Sequence, residues 1–194
     1  MSVSRDVLQK MLVSKTEPQY PAEAAAKNAE GLVVVSIVVD QNGTVTDAKN
    51  RCGAAWLTPA ALNAVKMWKF QPAIYQGRRV EVTGEVIVEV NAPTPRSKQS
   101  QLRIDPVTAE ANLLSAGSLA YPPAAAAGRI QGCVVVHCII GEDGRVQSTK
   151  TVSGHPMLAP SAEIAASKNQ YKPFTNDGAP VKVETYVVET FKLP

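Results

Sequence analysis

His137 and His155 are the histidines of this chain, and Cys52, Cys133 and Cys138 its cysteines. Imidazole, thiol or soft-metal chemistry would have to pass through these side chains. His137 and Cys133 share one face of an apolar run that reads as a strand, but four residues of extended chain hold them ~13 Å apart. One metal ion with ~2 Å bonds cannot bridge that distance. His155 sits in Ser153-Gly154-His155-Pro156, a turn sequence. Cys133 and Cys138 point to opposite faces of their strand, so they cannot pair with each other. Free, buried thiols fit the habit of unpaired cysteine, and a bridge from Cys52 to Cys133 or to Cys138 stays open. Asp40-x-Asn42-Gly43 begins like a calcium loop, yet no glutamate follows at the spacing of the bidentate ligand. Glu81, Glu85 and Glu89 line one strand face, and their alternation with valines makes that face solvated rather than an acid/base pair. Phosphate loops, nucleophile elbows and metalloprotease helices have no match here. The residues describe a non-enzymatic chain: no catalytic residue, no metal, no cofactor.

The elements that must position these residues occur twice, at a fixed offset that takes Tyr20 to Tyr121. Tyr20-Pro21 recurs as Tyr121-Pro122, Gly43-x-Val45 as Gly144-x-Val146, Leu57-x-Pro59 as Leu158-x-Pro160, and Gly77 as Gly178. A period this long suits two copies of one small domain rather than a solenoid. In the first copy Pro21 opens a short helix of alanines, Gly31 stops it, and Leu32 to Asp40 reads as a strand. Asn42-Gly43 supplies a tight hairpin turn with positive φ at both positions, and Thr44 to Asn50 returns. Thr58-Pro59 reads as N-cap and first helical residue, with Ala61, Leu62, Val65 and Trp68 on one apolar face. After Gly77, Val80, Val82, Val86, Val88 and Val90 alternate with Arg79, Glu81, Glu85 and Glu89 as one strand. The fold class is α+β: helix-strand-strand-helix-strand, with a three-stranded antiparallel sheet and helices on one face.

The second copy follows with softer signals. Asn169 replaces Trp68, and Glu189 falls where Val88 points inward, which predicts a bulge or a frayed end to the last strand. The expected divisions are an N-terminal segment 1–19 with a short helix, a first domain 20–92, a polar proline-bearing linker 93–103, and a second domain 104–194 with a leading helix. Both faces of each first strand are apolar, so the outer sheet face should be covered as well. Tyr20 and Tyr121 are placed to pack the first helix of each copy onto its sheet, and Trp56 and Trp68 read as core.

A net charge of +3 is too slight, and its basic residues too scattered, to argue for nucleic acid. The longest apolar run, Leu32 to Val39, is far short of the ~20 residues that span a bilayer. Arg5, Asp6 and Lys10 interrupt any signal-peptide core. Composition leaves open a cytoplasmic protein or one whose targeting or anchoring segment lies outside this chain.

Residues 20–90 and 121–193 resemble the C-terminal domain of TonB-family energy transducers, and more distantly TolA. The similarity is carried by Tyr20-Pro21, Asn42-Gly43-x-Val45, Leu57-x-Pro59-Ala60-Ala61, Trp68-Lys69-Phe70-x-Pro72 and Gly77. In the second copy it rests on Tyr121-Pro122, Asp143-Gly144-x-Val146, Ser153-Gly154 and Tyr171-x-Pro173. The resemblance implies a periplasmic domain, anchored or exported by a segment absent from this chain, that binds a TonB-dependent outer-membrane receptor or other envelope protein. It implies strand addition to the last strand and support of energy-coupled transport. Carried over by position, the binding edges are Val82 to Val90, with Glu85, Val86, Ile87 and Val88 between, and Val183 to Phe191, with Val187 and Val188; Tyr20 and Tyr121 are candidate contacts. A proline at Val86 is then expected to remove a ladder donor. The alternative is an adaptor whose copies pack together or self-associate without transmitting force. With its tryptophan and clean last strand, the first copy is the expected gripping copy.

Overall fold

Runs of valine and isoleucine form the middle strand of each of two sheets, because β-branched side chains suit a pleated, buried surface. The computed structural model describes residues 1–26, 30–92 and 102–193, and the chain divides into two compact units, Met1–Thr94 and Pro95–Pro194.

The first unit contains α1 (Arg5–Met11), β1 (Leu12–Ser14), α2 (Ala22–Ala26), β2 (Gly31–Val39), β3 (Val45–Gly53), α3 (Thr58–Lys66), β4 (Lys69–Phe70), β5 (Ala73–Tyr75), β6 (Arg78–Val80) and β7 (Val82–Val90). Its main sheet is antiparallel in the order β3-β2-β7. Val33, Val35, Ile37 and Val39 project from β2 onto a core shared with Leu57, Ala61, Val65, Trp68 and Phe70. Each fully buried aliphatic side chain here contributes about 1.5–3 kcal/mol relative to exposure. Leu32 and Val34, on the opposite face of β2, are also buried, at 1% and 2% exposure.

Two turns differ from expectation. At the first hairpin Gly43 has φ +81° while Asn42 keeps negative φ, because Asp40 organises the loop instead. Its carboxylate accepts from the amides of Asn42 and Thr44 at 2.9 and 2.8 Å, which holds its own pKa low, the Thr44 amide contributing most. Gly43 is required for a second reason: a Cβ there would strike the carbonyl oxygen of Phe70, whose amide donates back to Gly43 at 2.9 Å. The turn with positive φ at both positions lies instead at Gln76-Gly77 (51° and 75°), joining β5 to β6. This hairpin splits the run expected as one strand, and β7 begins afresh at Val82. At α3, Leu57 rather than Thr58 is the N-cap, and the Thr58 hydroxyl donates back to the Ala54 carbonyl.

The second unit contains β8 (Leu102–Arg103), α4 (Pro106–Ala111), β9 (Leu113–Ser115), α5 (Pro123–Ala127), β10 (Gly132–Ile140), β11 (Val146–Ser153), α6 (Ala159–Ser167), β12 (Gln170–Tyr171), β13 (Thr175–Asn176), β14 (Ala179–Pro180) and β15 (Val183–Phe191). Its sheet runs β11-β10-β15-β8, with β8 parallel to β15. The expected bulge at Glu189 does not occur. β10 and β15 pair in unbroken register from Gly132↔Phe191 to Ile140↔Val183, and the Glu189 carboxyl stays half-buried, where desolvation raises its pKa. Cys138 is a buried free thiol, whereas Cys52 and Cys133 are not free, which corrects the reading of three free thiols.

The repeat reaches further upstream than its Tyr-Pro pairs. Ser4 caps α1 by accepting from the Val7 amide, and Asp105 caps α4 by accepting from the Thr108 amide. β1 pairs with β4 as β9 pairs with β12. A size exchange accompanies this. A Cβ on Gly84 would meet Leu8 Cδ1 at 2.6 Å; the corresponding residues of the second unit are Thr185 and Ala109, both buried. The larger side chain has moved from helix to strand.

Candidate protein-binding edges

The last strand of each unit lies at the rim of its sheet, and the chain ahead of the unit's first helix pairs with its beginning. In the first unit the Thr83 amide donates to Met1 O at 2.8 Å and the Val3 amide donates to Thr83 O at 2.9 Å, a parallel bridge centred on Ser2 and Thr83. In the second, Leu102 and Arg103 pair with Val183 and Glu184, and the Ile104 amide donates to Glu184 O at 2.9 Å. These straps stop where α1 and α4 begin. Among the described residues, no strand lies beside β7 after Thr83 or beside β15 after Glu184.

Alternation along a strand then sorts the residues. Thr83 presents both backbone groups to the strap, and β7 pairs with β2 without a register shift, so Glu85, Ile87 and Glu89 also direct their backbone outward. Val82, Val86, Val88 and Val90 direct theirs to β2, and their side chains are 0–5% exposed in the core. A proline at Val86 therefore removes a donor from the sheet's own ladder with β2, and Ile87 holds the donor at the open edge. In β15 the same sorting puts Tyr186, Val188 and Thr190 outward and Val183, Val187 and Phe191 inward.

The two edges differ in how far they are covered. In the second unit Arg103 Nε lies 3.2 Å from Glu184 Oε1, its Nη2 donates to the Tyr186 hydroxyl at 3.1 Å, and its guanidinium sits 5.1 Å from the Tyr186 ring centre. His137 Nε2 lies 3.1 Å from Glu184 Oε2 and its ring packs edge-on against Tyr186. This cluster ties down the first outward residue after the strap. In the first unit Glu85 holds looser ion pairs, 3.7 Å to Arg5 and 3.4 Å to Arg51.

Behind each edge, aromatic residues fix the leading segments. Trp68, 2% exposed, donates from Nε1 to Thr16 O at 2.9 Å. Asn169 keeps that tether with opposite polarity, accepting from the Gly117 amide at 2.8 Å, and donates to the Tyr171 hydroxyl at 3.2 Å. Burial pushes the Tyr171 hydroxyl up to about 12. Tyr121 stacks edge-on with Phe191, ring centres 5.5 Å apart, and donates to the Ile130 carbonyl. Tyr20 packs against the core but also lines a surface cleft. His155 Nδ1 accepts from the Met157 amide at 3.2 Å within its turn.

The profile of the family described as Gram-negative bacterial TonB protein C-terminal matches residues 16–90 and 118–193. The chain belongs to this family. It carries two TonB C-terminal domains, and no curated protein matches it. The TonB C-terminal domain is a non-enzymatic protein-interaction domain of the bacterial envelope. Among the described residues, no helix is long and apolar enough to cross a membrane. The straps begin ahead of both matched regions and were invisible to pattern reading, being two or three residues long; the offset itself aligns Val3 with Ile104 and Ser4 with Asp105.

Proposed function

We propose that this protein works in the periplasm as a peptide-binding module of the TonB kind. An extended segment of a TonB-dependent outer-membrane receptor, or of another envelope protein, adds to the β7 edge and supports energy-coupled transport. The observation carrying this reading is the outward row Glu85, Ile87 and Glu89, which continues past a strap that already uses the edge as a strand template. Backbone bonds along this row supply affinity, and side chains beside Ile87 supply selection. The first copy is the gripping copy, because in the second Arg103 and His137 enclose Tyr186 and leave a shorter edge beginning at Val188.

Titrating isotopically labelled protein with short TonB-box peptides from outer-membrane receptors tests this. Amide shifts should concentrate at Glu85, Ile87 and Glu89, and Ile87→Pro should abolish them. Shifts confined to β15, or binding that Ile87→Pro leaves intact, would overturn the assignment of the edge.

A further inference from the structure

A cleft of about 720 Å³ opens in the first unit between the Tyr20-Pro21 entry to α2 and one face of α3. Tyr20, Pro21, Trp56, Pro59 and Met67 wall it, and Met67 is 55% exposed. Gln19 and Asn63 also line it, as do the carboxylates of Glu17 and Glu23, and no lysine or arginine is among the described lining residues. Lys15 offsets Glu17 from outside at 3.2 Å; Glu23 stands in the first turn of α2, with no such partner among the described residues. β7 presents its edge elsewhere, so strand addition does not use this surface.

We propose that the cleft is a second binding site, for a polyproline II segment that carries a basic residue. A polyproline helix has no internal hydrogen bonds and leaves its carbonyls exposed. The side-chain amides of Gln19 and Asn63 are the donors such carbonyls need. Proline rings pack on aromatic faces without losing chain entropy already spent in the ligand. Met67 adapts to the ring spacing, and Glu23 selects the cation.

The second copy shows what the site depends on. There Met157 stands for Trp56, Ala120 for Gln19, Ile164 for Asn63, Ala124 for Glu23 and Lys168 for Met67. The indole, both amides and the acid are gone together, and a cation has entered. The scaffold persists while the ligand-directed groups do not, so the second copy should not bind.

The probe is a synthetic peptide with two Pro-x-x-Pro turns and a terminal arginine, added to the full chain and followed by amide shifts. Shifts should map to α2 and α3 and spare β7. Trp56→Ala should weaken binding about thirtyfold, as for a buried aromatic anchor. Because Trp56 also packs against the core, the exposed Met67→Ala and Glu23→Lys variants give independent readings, the latter about fivefold weaker. Ile87→Pro should leave this peptide's affinity unchanged, which separates failure here from failure of the edge proposal. No saturation at millimolar peptide, equal binding of a peptide with alanine in place of each proline, or equal shifts in the second copy would overturn the proposal.

Discussion

Replacing adjacent residues of β7 by proline should produce opposite losses. Val86 directs its amide to β2, and its side chain is 5% exposed in the core. Val86→Pro removes a ladder bond, strands a buried carbonyl and forces a ring into the strand, together about 3 kcal/mol or more. Ile87 directs its amide away from the sheet, so Ile87→Pro loses no internal bond. The ring's φ near −65° lies within the β region, and the cost falls to about 1 kcal/mol from lost side-chain packing. For a domain of this size each kcal/mol lowers the melting temperature by about 4–8 °C. Calorimetry should show the first unit's transition falling by at least about 12 °C in Val86→Pro and by about 4–8 °C in Ile87→Pro. The second unit's transition serves as an internal reference. Peptide binding should survive neither Ile87→Pro nor unfolding, but at low temperature the folded fraction of Val86→Pro should still bind. Equal destabilisation by the two prolines would refute the alternation assigned from Thr83, and with it the outward row.

Further outcomes follow from the cores. Leu8→Ala should cost about 2–5 kcal/mol and Gly84→Thr should also destabilise, whereas the double variant, which reproduces Ala109 and Thr185, should recover at least about 1 kcal/mol of their sum in urea unfolding; strict additivity would contradict the size exchange. The Glu189 pKa is raised by burial in the folded state, so its contribution is fully present below the unfolded value and is lost as pH rises through the folded one. Glu189→Gln should stabilise the second unit at neutral pH and flatten its melting temperature against pH; parallel curves would contradict the burial of that carboxyl. Burial pushes the Cys138 thiol up to about 12, so an aromatic disulfide reagent at pH 8 should meet it only as fast as the second unit unfolds; a rapid reaction in the native state would show the thiol to be accessible.

The doubled fold was legible because its signals are long or chemically strict. Valine runs, the helix face of Ala61, Val65 and Trp68, and the recurring glycines each point to one element. Turn types were not legible from dipeptides alone: Asn42-Gly43 looks like a two-residue hairpin, but Asp40 recruits two amides and extends the loop. Glu189 misled because pairing along β15 holds an acid half-buried when its neighbours Val187 and Phe191 anchor the strand on both sides. The edge was readable as a strand, yet its outward residues were not, since backbone direction depends on which side β2 occupies. The cleft walls at Pro59, Asn63 and Met67 share helical spacing with core positions, and only the placement of α2 beside α3 separates the two faces.

The exchange of Leu8 and Gly84 for Ala109 and Thr185 bears on how a chain of two halves that share one order of elements avoids assembling wrongly. During synthesis or refolding, a tandem repeat can trade equivalent segments between neighbours and become trapped. If β15 were taken up under α1, Thr185 would be driven against Leu8; if β7 were taken up under α4, Gly84 would face Ala109 across an empty space. Each wrong pairing is penalised, one by collision and the other by a void. A single large side chain placed on opposite partners thus gives each half its own key, and the fidelity of folding is set on the core face of the same strand whose backbone forms the edge.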